Sequence, residues 1–264
     1  HVPMAIRAVE QGCHVLIEKP LSTRLDRLDE LHRLIAAKGV VCGVAYTVRS
    51  YGAVRDLRTA LRQGRLGEIR QVTVVAGQEF FRFRPAYAST YYADHATGGG
   101  AIQDALTHLV DLVDYLIGPA RRVCADAAHR ALATEKVEDT VHVLARHGDD
   151  IPVSYALNQY QAPNEILFTV VGAKGTARLV PSRNSWSFMS AGGDAWQTRY
   201  CVPIVRDVPY IDQAGYFLRA LRGEDEVTCT LAEGEWALRA NLAILRSAFE
   251  TRGWEDAVPT GGAA

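Results

Sequence analysis

Two short stretches of the chain carry side chains that could move a proton. The first is Glu18-Lys19-Pro20, directly after the mostly apolar run His14-Val15-Leu16-Ile17. A lysine at the carboxyl end of a parallel strand stands where α/β proteins bind their ligands. Its ammonium can hydrogen-bond a hydroxyl or carbonyl oxygen and depress the pKa of a nearby acid. The same three residues also describe a strand-to-helix turn whose charges face water. The second stretch is Gly98-Gly99-Gly100-Ala101-Ile102-Gln103-Asp104-Ala105-Leu106-Thr107-His108-Leu109-Val110-Asp111. Asp104 and His108 are i and i+4, so a helix puts them on one face, with Thr107 and Asp111 near the same stripe. A carboxylate one turn from an imidazole can orient it and raise its basicity, as general acid–base work requires. The plain alternative is an amphipathic helix with a solvated polar stripe, opposite Ile102, Ala105, Leu106, Leu109, Val113 and Leu116. The three glycines permit positive φ or close approach to a ligand. A metal on Asp104, His108 and His95 lacks a third ligand at convincing spacing, so no metal is expected. Just upstream, Arg82, Arg84, Tyr91, Tyr92, Asp94 and His95 could line a polyol pocket or form a surface loop.

The elements that must position these residues follow from periodicity and punctuation. Pro3 and Gly12 bracket a helix over 3–11. Residues 14–18 form a short strand. Thr23 and Asp26 open a helix that keeps apolar spacing to Gly39, and 40–46 is a second buried strand. Helix, strand, helix, strand is the order of a parallel βαβ array, yet two strands make a poor parallel sheet. The expectation is that this array continues upstream of His1. A helix over 51–63 and a strand over 69–78 come next, then 80–97 without a period. After the glycines a helix runs over 101–117. Strands near 121–128, 139–147, 151–160, 165–172, 176–181 and 185–190 are joined by tight turns such as Gly148-Asp149-Asp150 and Ala173-Lys174-Gly175, which demand antiparallel pairing. Val141, Val143, Val153, Phe168, Val170 and Trp186 recur at about period two, one face for helices and one for association. Helices near 211–222 and 231–251 close the chain, the second capped by Thr230 with Glu233. Thr260–Ala264 is expected to fray. The fold class is α/β plus α+β. A parallel, partly Rossmann-like βαβ fragment occupies 1–48. An α+β substrate and oligomerisation domain with a large, mostly antiparallel open sheet occupies 49–264. Helix 231–251 could pack back on the first domain.

Composition excludes several classes. Of 264 residues, 48% are hydrophobic, and 29 Lys+Arg oppose 30 Asp+Glu. That balance gives no basic footprint for nucleic acid. No apolar run is long enough to span a bilayer, and the first residues do not read as a signal peptide. Five scattered cysteines without a CxxC point to a reduced, cytoplasmic protein. No G-x-G-x-x-G fingerprint occurs in the chain, because position 103 is Gln and the Gly172–Thr176 segment is a hairpin.

"HVPMAIRAVEQGCHVLIEKPLS" resembles the Glu-Lys-Pro segment of the Gfo/Idh/MocA oxidoreductase family. "GGGAIQDALTHLVDLVDYLIG" resembles that family's glycine cluster leading into D-x-x-x-H, and "VVGAKGTARL" its large-sheet hairpin. Their order spans essentially the whole chain. The resemblance implies a Rossmann domain for NAD or NADP, a sugar-like or cyclitol substrate and a homo-oligomer formed through the sheet. It implies that Lys19, Asp104 and His108 are catalytic: His108 the base, Lys19 stabilising the alkoxide, Asp104 orienting His108 or the substrate. Glu18, Lys19 and Pro20 would face the cofactor, and Arg84, Tyr92, Asp104 and His108 the substrate. In the family the glycine-rich loop lies upstream of the segment matching His1, so this chain alone is expected to bind a dinucleotide poorly. The competing expectation is a non-catalytic relative serving as a ligand-binding or oligomerisation module.

Overall fold

The computed structural model describes residues 1–133 and 136–257; the Thr260–Ala264 stretch lies outside them. Helix α1 (Val2–Glu10) buries Val2, Ala5, Ile6 and Val9, and Gly12 follows it at φ +78°. Strand β1 (Val15–Glu18) pairs in parallel with β2 (Cys42–Ala45). Helix α2 (Leu28–Lys38) lies between them in sequence. It begins at Arg27, which takes a left-handed conformation without a side-chain cap, rather than at Thr23–Asp26. Asp29 and Glu30 in its first turn supply the favourable charge instead.

A 3-10 turn at Thr47–Ser50 leads to α3 (Gly52–Arg62) and β3 (Ile69–Glu79). The aperiodic stretch is a short helix, α4 (Phe80–Phe83), followed by single 3-10 turns to Thr97. Such turns bury side chains singly, so no period arises. The helix expected over 101–117 is present and contains a π-helical turn, Ile102–Leu106, that continues into α5 (Thr107–Ile117). Strands β4 (Ala120–Ala128), β5 (Thr140–His147), β6 (Ile151–Asn158), β7 (Tyr160–Gly172), β8 (Gly175–Val180), β9 (Ser185–Ser190) and β10 (Gln197–Cys201) precede α6 (Val208–Leu221) and α7 (Leu231–Arg246), and β11 (Glu255–Asp256) ends the described chain. The Thr230–Glu233 capping box of α7 is present in both directions. β10 and β11 escaped the sequence because one is almost wholly exposed and the other two residues long.

Nine strands form one sheet in the order β10-β9-β8-β7-β3-β6-β5-β4-β11. The large, mostly antiparallel sheet expected from the sequence is present, and β3 joins it between β7 and β6 and runs parallel to β6. The other neighbouring pairs are antiparallel. Val141, Val143, Val153, Phe168, Val170 and Trp186 are buried on the helix-covered face in one large core. A second core joins α1, β1, α2 and β2 to Cys229, Leu231, Ala237 and Leu238. There α7 packs on β2 so closely that a Cβ at Gly234 would lie 2.6 Å from Val44 Cγ2.

Candidate active site

Lys19 leaves the carboxyl end of β1 and reaches the π-helical turn. Its Nζ donates to the Asp104 backbone oxygen at 3.0 Å and to Oδ1 at 3.2 Å. The Tyr91 hydroxyl donates to the same Oδ1 at 3.0 Å. Asp104 therefore holds Lys19 and Tyr91, and does not orient His108 through a hydrogen bond as the spacing suggested. Asp104 Oδ1 is engaged by Lys19 and Tyr91 instead, although Asp104 and His108 face the same cavity. His108 sits one turn on, edge-to-face with Tyr46 at 6.0 Å between ring centroids. Its buried Nδ1 has no protein partner.

Lys19, Asp104 and His108 share one cavity of about 500 Å³. The ends of the parallel strands contribute Glu18, Lys19 and Ala45, with Thr47 just beyond; the site helix contributes Asp104, Ala105, His108 and Leu109. Phe80, Phe83, Tyr51 and Tyr210 form aromatic walls, and Arg84, Asn164 and Glu165 also line it. A size of this order is typical of small-molecule sites, and the lining sets many polar side chains beside the aromatic walls. Lys19, Asp104, His108 and Arg84 thus meet, as does Glu18. Pro20 does not line the cavity; it lies beneath the turn at Gly98.

Tyr92 is elsewhere. It is 1% exposed, packed with Phe80 and Tyr87, and its hydroxyl donates to Gln159 Oε1. The adjacent Tyr91 reaches Asp104 instead, without lining the cavity. His95 turns to Glu138, Asp94 caps its own turn through Ala96 N, and Arg82 pairs with Glu79. Among the described residues no group of three or more His, Cys, Asp and Glu side chains is placed to hold a metal.

The glycines serve packing rather than a ligand. A Cβ at Gly99 would lie 2.2 Å from the Tyr92 carbonyl oxygen, and one at Gly100 2.7 Å from Glu138 Oε1. Nor is the polar stripe solvated. Thr107 is bonded to the Tyr46 hydroxyl at 2.9 Å. Asp111 accepts from the buried Arg49 guanidinium at 2.7–3.1 Å. Tyr46 and Arg49 carry no motif, and only the three-dimensional packing reveals them.

Burial and the Lys19 ammonium lower the His108 imidazole to about 3. It is a neutral proton acceptor over the physiological range, not a group titrating near pH 7. Partial burial, with the nearby Asp104 charge, pushes the Tyr91 phenol up to about 12, so it stays a donor. Burial pushes the Asp111 carboxyl up to about 7 against the pull of Arg49.

The chain resembles known proteins along its length. It is 28% identical over 165 residues to the uncharacterized oxidoreductase sll0816 of Synechocystis, 58% of this chain and 44% of that protein. It is 24% identical over 261 residues to the 1,5-anhydro-D-fructose reductase of Ensifer adhaerens, 94% of this chain and 74% of that protein. A solved levoglucosan dehydrogenase in complex with NADH and levoglucosan superposes with a TM-score of 0.87 at 23% identity, over 98% of this chain and 77% of that one. Residues 1–46 match the oxidoreductase family with an NAD-binding Rossmann fold, and residues 54–178 match the GFO/IDH/MocA C-terminal domain. With both parts matched in their expected order, the chain belongs to the Gfo/Idh/MocA oxidoreductase family.

Proposed function

We propose that this chain is an NAD- or NADP-dependent dehydrogenase acting on a hydroxyl or carbonyl carbon of a sugar or cyclitol, with Lys19, Asp104 and His108 as its reacting groups. The observation that carries the reading is the convergence of Lys19, Asp104 and His108 on one cavity at the carboxyl ends of β1 and β2. Such strand ends are where parallel α/β sheets bind ligands. Glu18, Lys19 and Thr47 would hold the nicotinamide end of the cofactor, which when bound would supply the acceptor or donor of the hydride. His108, neutral and lining the cavity, accepts the hydroxyl proton. Lys19, held by Asp104, places positive charge against the alkoxide that develops. Asp104 and Tyr91 fix the Lys19 amine, and the aromatic walls take the apolar face of a sugar ring. The relatives' names, an anhydrofructose reductase and a levoglucosan dehydrogenase, support a compact, uncharged polyol.

Pyrophosphate in such folds is held by a glycine loop and a helix N-terminus, and no G-x-G-x-x-G turn occurs in residues 1–264. We further infer a cytoplasmic setting, supported by five free cysteines, and self-association through the open face of the sheet.

Saturation-transfer NMR against a panel of monosaccharides, anhydrosugars and cyclitols tests the reading. Ring polyols should bind the parent chain and lose binding in Lys19→Met. Turnover at millimolar NAD or NADP should fall by about 10²–10⁴ in His108→Ala, the range for lost acid–base help. If no ring polyol bound, or if His108→Ala turned over like the parent, the assignment would fail.

A further inference from the structure

The expected groups do not account for what holds the π-helical turn in place. The turn starts inside the protein, where its first backbone N–H groups need acceptors. They find them on one residue, Glu138, which lies across the domain between β4 and β5 and is 2% exposed. Its Oε1 accepts from Ile102 N at 2.7 Å, and its backbone oxygen accepts from Ala101 N at 3.0 Å. Its Oε2 accepts from His95 Nε2 at 2.5 Å. Gly100, at φ +89°, leaves room for this carboxylate, because a Cβ there would collide with both oxygens. From the other side, Gln103 on the π turn donates to the His95 carbonyl at 2.8 Å. The turn, the His95 loop and Glu138 therefore form one closed set of hydrogen bonds, two residues upstream of Asp104.

We propose that Glu138 is the positioning residue of this cleft: its carboxylate caps the π-helical turn and, gripped by His95, sets where Asp104 meets Lys19. The role rests on reading that cleft as the reaction centre, and Glu138 does not line the cavity itself. Geometry and charge agree. An acidic side chain at a helix N-terminus is favoured by the exposed N–H groups and the dipole. The hydrogen bond to Glu138 raises the His95 imidazole above its ordinary value, which strengthens the grip of one on the other. Asp94 stands beside His95 on its own turn, the Phe249 ring lies 5.6 Å away, and His129, Lys136 and Glu250 line the shallow depression around the pair.

Lys19 is the reporter. The chain has four lysines, Lys19, Lys38, Lys136 and Lys174, so reductive ¹³C-methylation gives few and assignable resonances. In Glu138→Ala, the Lys19 methyl signal should move toward those of exposed Lys38 and Lys174, because Asp104 no longer sits against it. In Glu138→Gln, whose amide oxygen still caps Ile102 N, the signal should stay near its parent position. Where turnover is measurable, Glu138→Ala should lose about 10² in kcat, the scale of a small misplacement of reacting groups, with KM little changed, and Glu138→Gln should recover most of it. Should Glu138→Ala fail to fold by circular dichroism, His95→Ala makes the same test, and its Lys19 signal should move in the same direction. A folded Glu138→Ala or His95→Ala with the parent's Lys19 signal would overturn the proposal. The resonance decides this even in a chain without turnover, which would count against the dehydrogenase reading alone.

Discussion

At the scale of single residues, His108 joins the site's chemistry to the protein's pH response. Its imidazole stays neutral down to about 3 in the folded chain, whereas an unfolded histidine takes its proton near 6.5. Between those values the unfolded state binds more protons, so this group costs stability as pH falls from about 6.5 toward 3. Urea unfolding at about pH 7 and pH 4.5 checks this: His108→Gln should lose less stability on acidification than the parent does, because the side chain that resists protonation is gone. Equal losses would mean that His108 is solvated and protonated in the folded chain. The sequence did show the residue itself, since Lys19, Asp104 and His108 sit in recognisable motifs. It did not show the state of the imidazole, which depends on burial and on Lys19, 89 positions away. Nor could it separate Tyr91 from Tyr92. Neighbouring tyrosines in an aperiodic segment look alike until one is seen to reach Asp104 and the other to enter the Phe80–Tyr87 cluster.

At the scale of elements, the polar stripe of α5 is a buried seam, and Arg49 is its centre. The guanidinium follows β2, binds Asp111 on α5 with two nitrogens, and adds Glu233 Oε1 at 3.0 Å and the Thr228 carbonyl at 3.1 Å. Glu233 is also the capping-box residue of α7. One fully buried cation therefore ties the parallel strands, the site helix and the start of α7 together. Removing one partner of such a set leaves uncompensated buried charge. Arg49→Met should therefore destabilise the chain by about 3–5 kcal/mol, and adding Asp111→Leu should recover part of that. Chemical denaturation of the single and double variants measures it. A loss within the ordinary surface range of about 0.5 kcal/mol would show that the cluster is hydrated. The α7 capping box was readable as Thr230 and Glu233 because capping is local. The seam was not, because Thr107 and Asp111 spaced along a helix look the same whether they face water or a guanidinium from another element. The π turn was equally hidden. Nothing in Ile102–Leu106 departs from helical composition, and its winding is fixed by Glu138, which comes 36 positions after Ile102.

At the scale of the whole molecule, the two faces of the nine-stranded sheet are not equivalent. The alternation along β5 puts Val141, Val143 and Ala145 into the core and leaves His142 and Leu144 outside. Period two made this visible in the sequence, and each inward residue named there is buried. The pairing order was less visible. No local signal marks β3 as the strand that enters between β7 and β6, because strand order is set by which apolar faces can be covered together. What the order creates is a shallow depression on the outer face over β3, β6, β5 and β4, lined by Val75, Leu144, Ala156 and Cys124 among others. Leu144 is 58% exposed and Val75 37% exposed at its surface. Thr73, Asp126, His142, Ser154 and Arg252 line it as well; exposed apolar side chains rimmed by polar ones mark interaction surfaces, and a sheet face is flat enough to meet a second copy of itself by two-fold symmetry. A charge at its middle would then stand against its own image in the partner. Leu144→Asp should shift the chain to a smaller mass in light scattering, with unfolding unchanged because Leu144 touches little of its own core. A parent chain that is monomeric at the same concentration would refute self-association, and a variant with the parent's mass would place the association surface elsewhere.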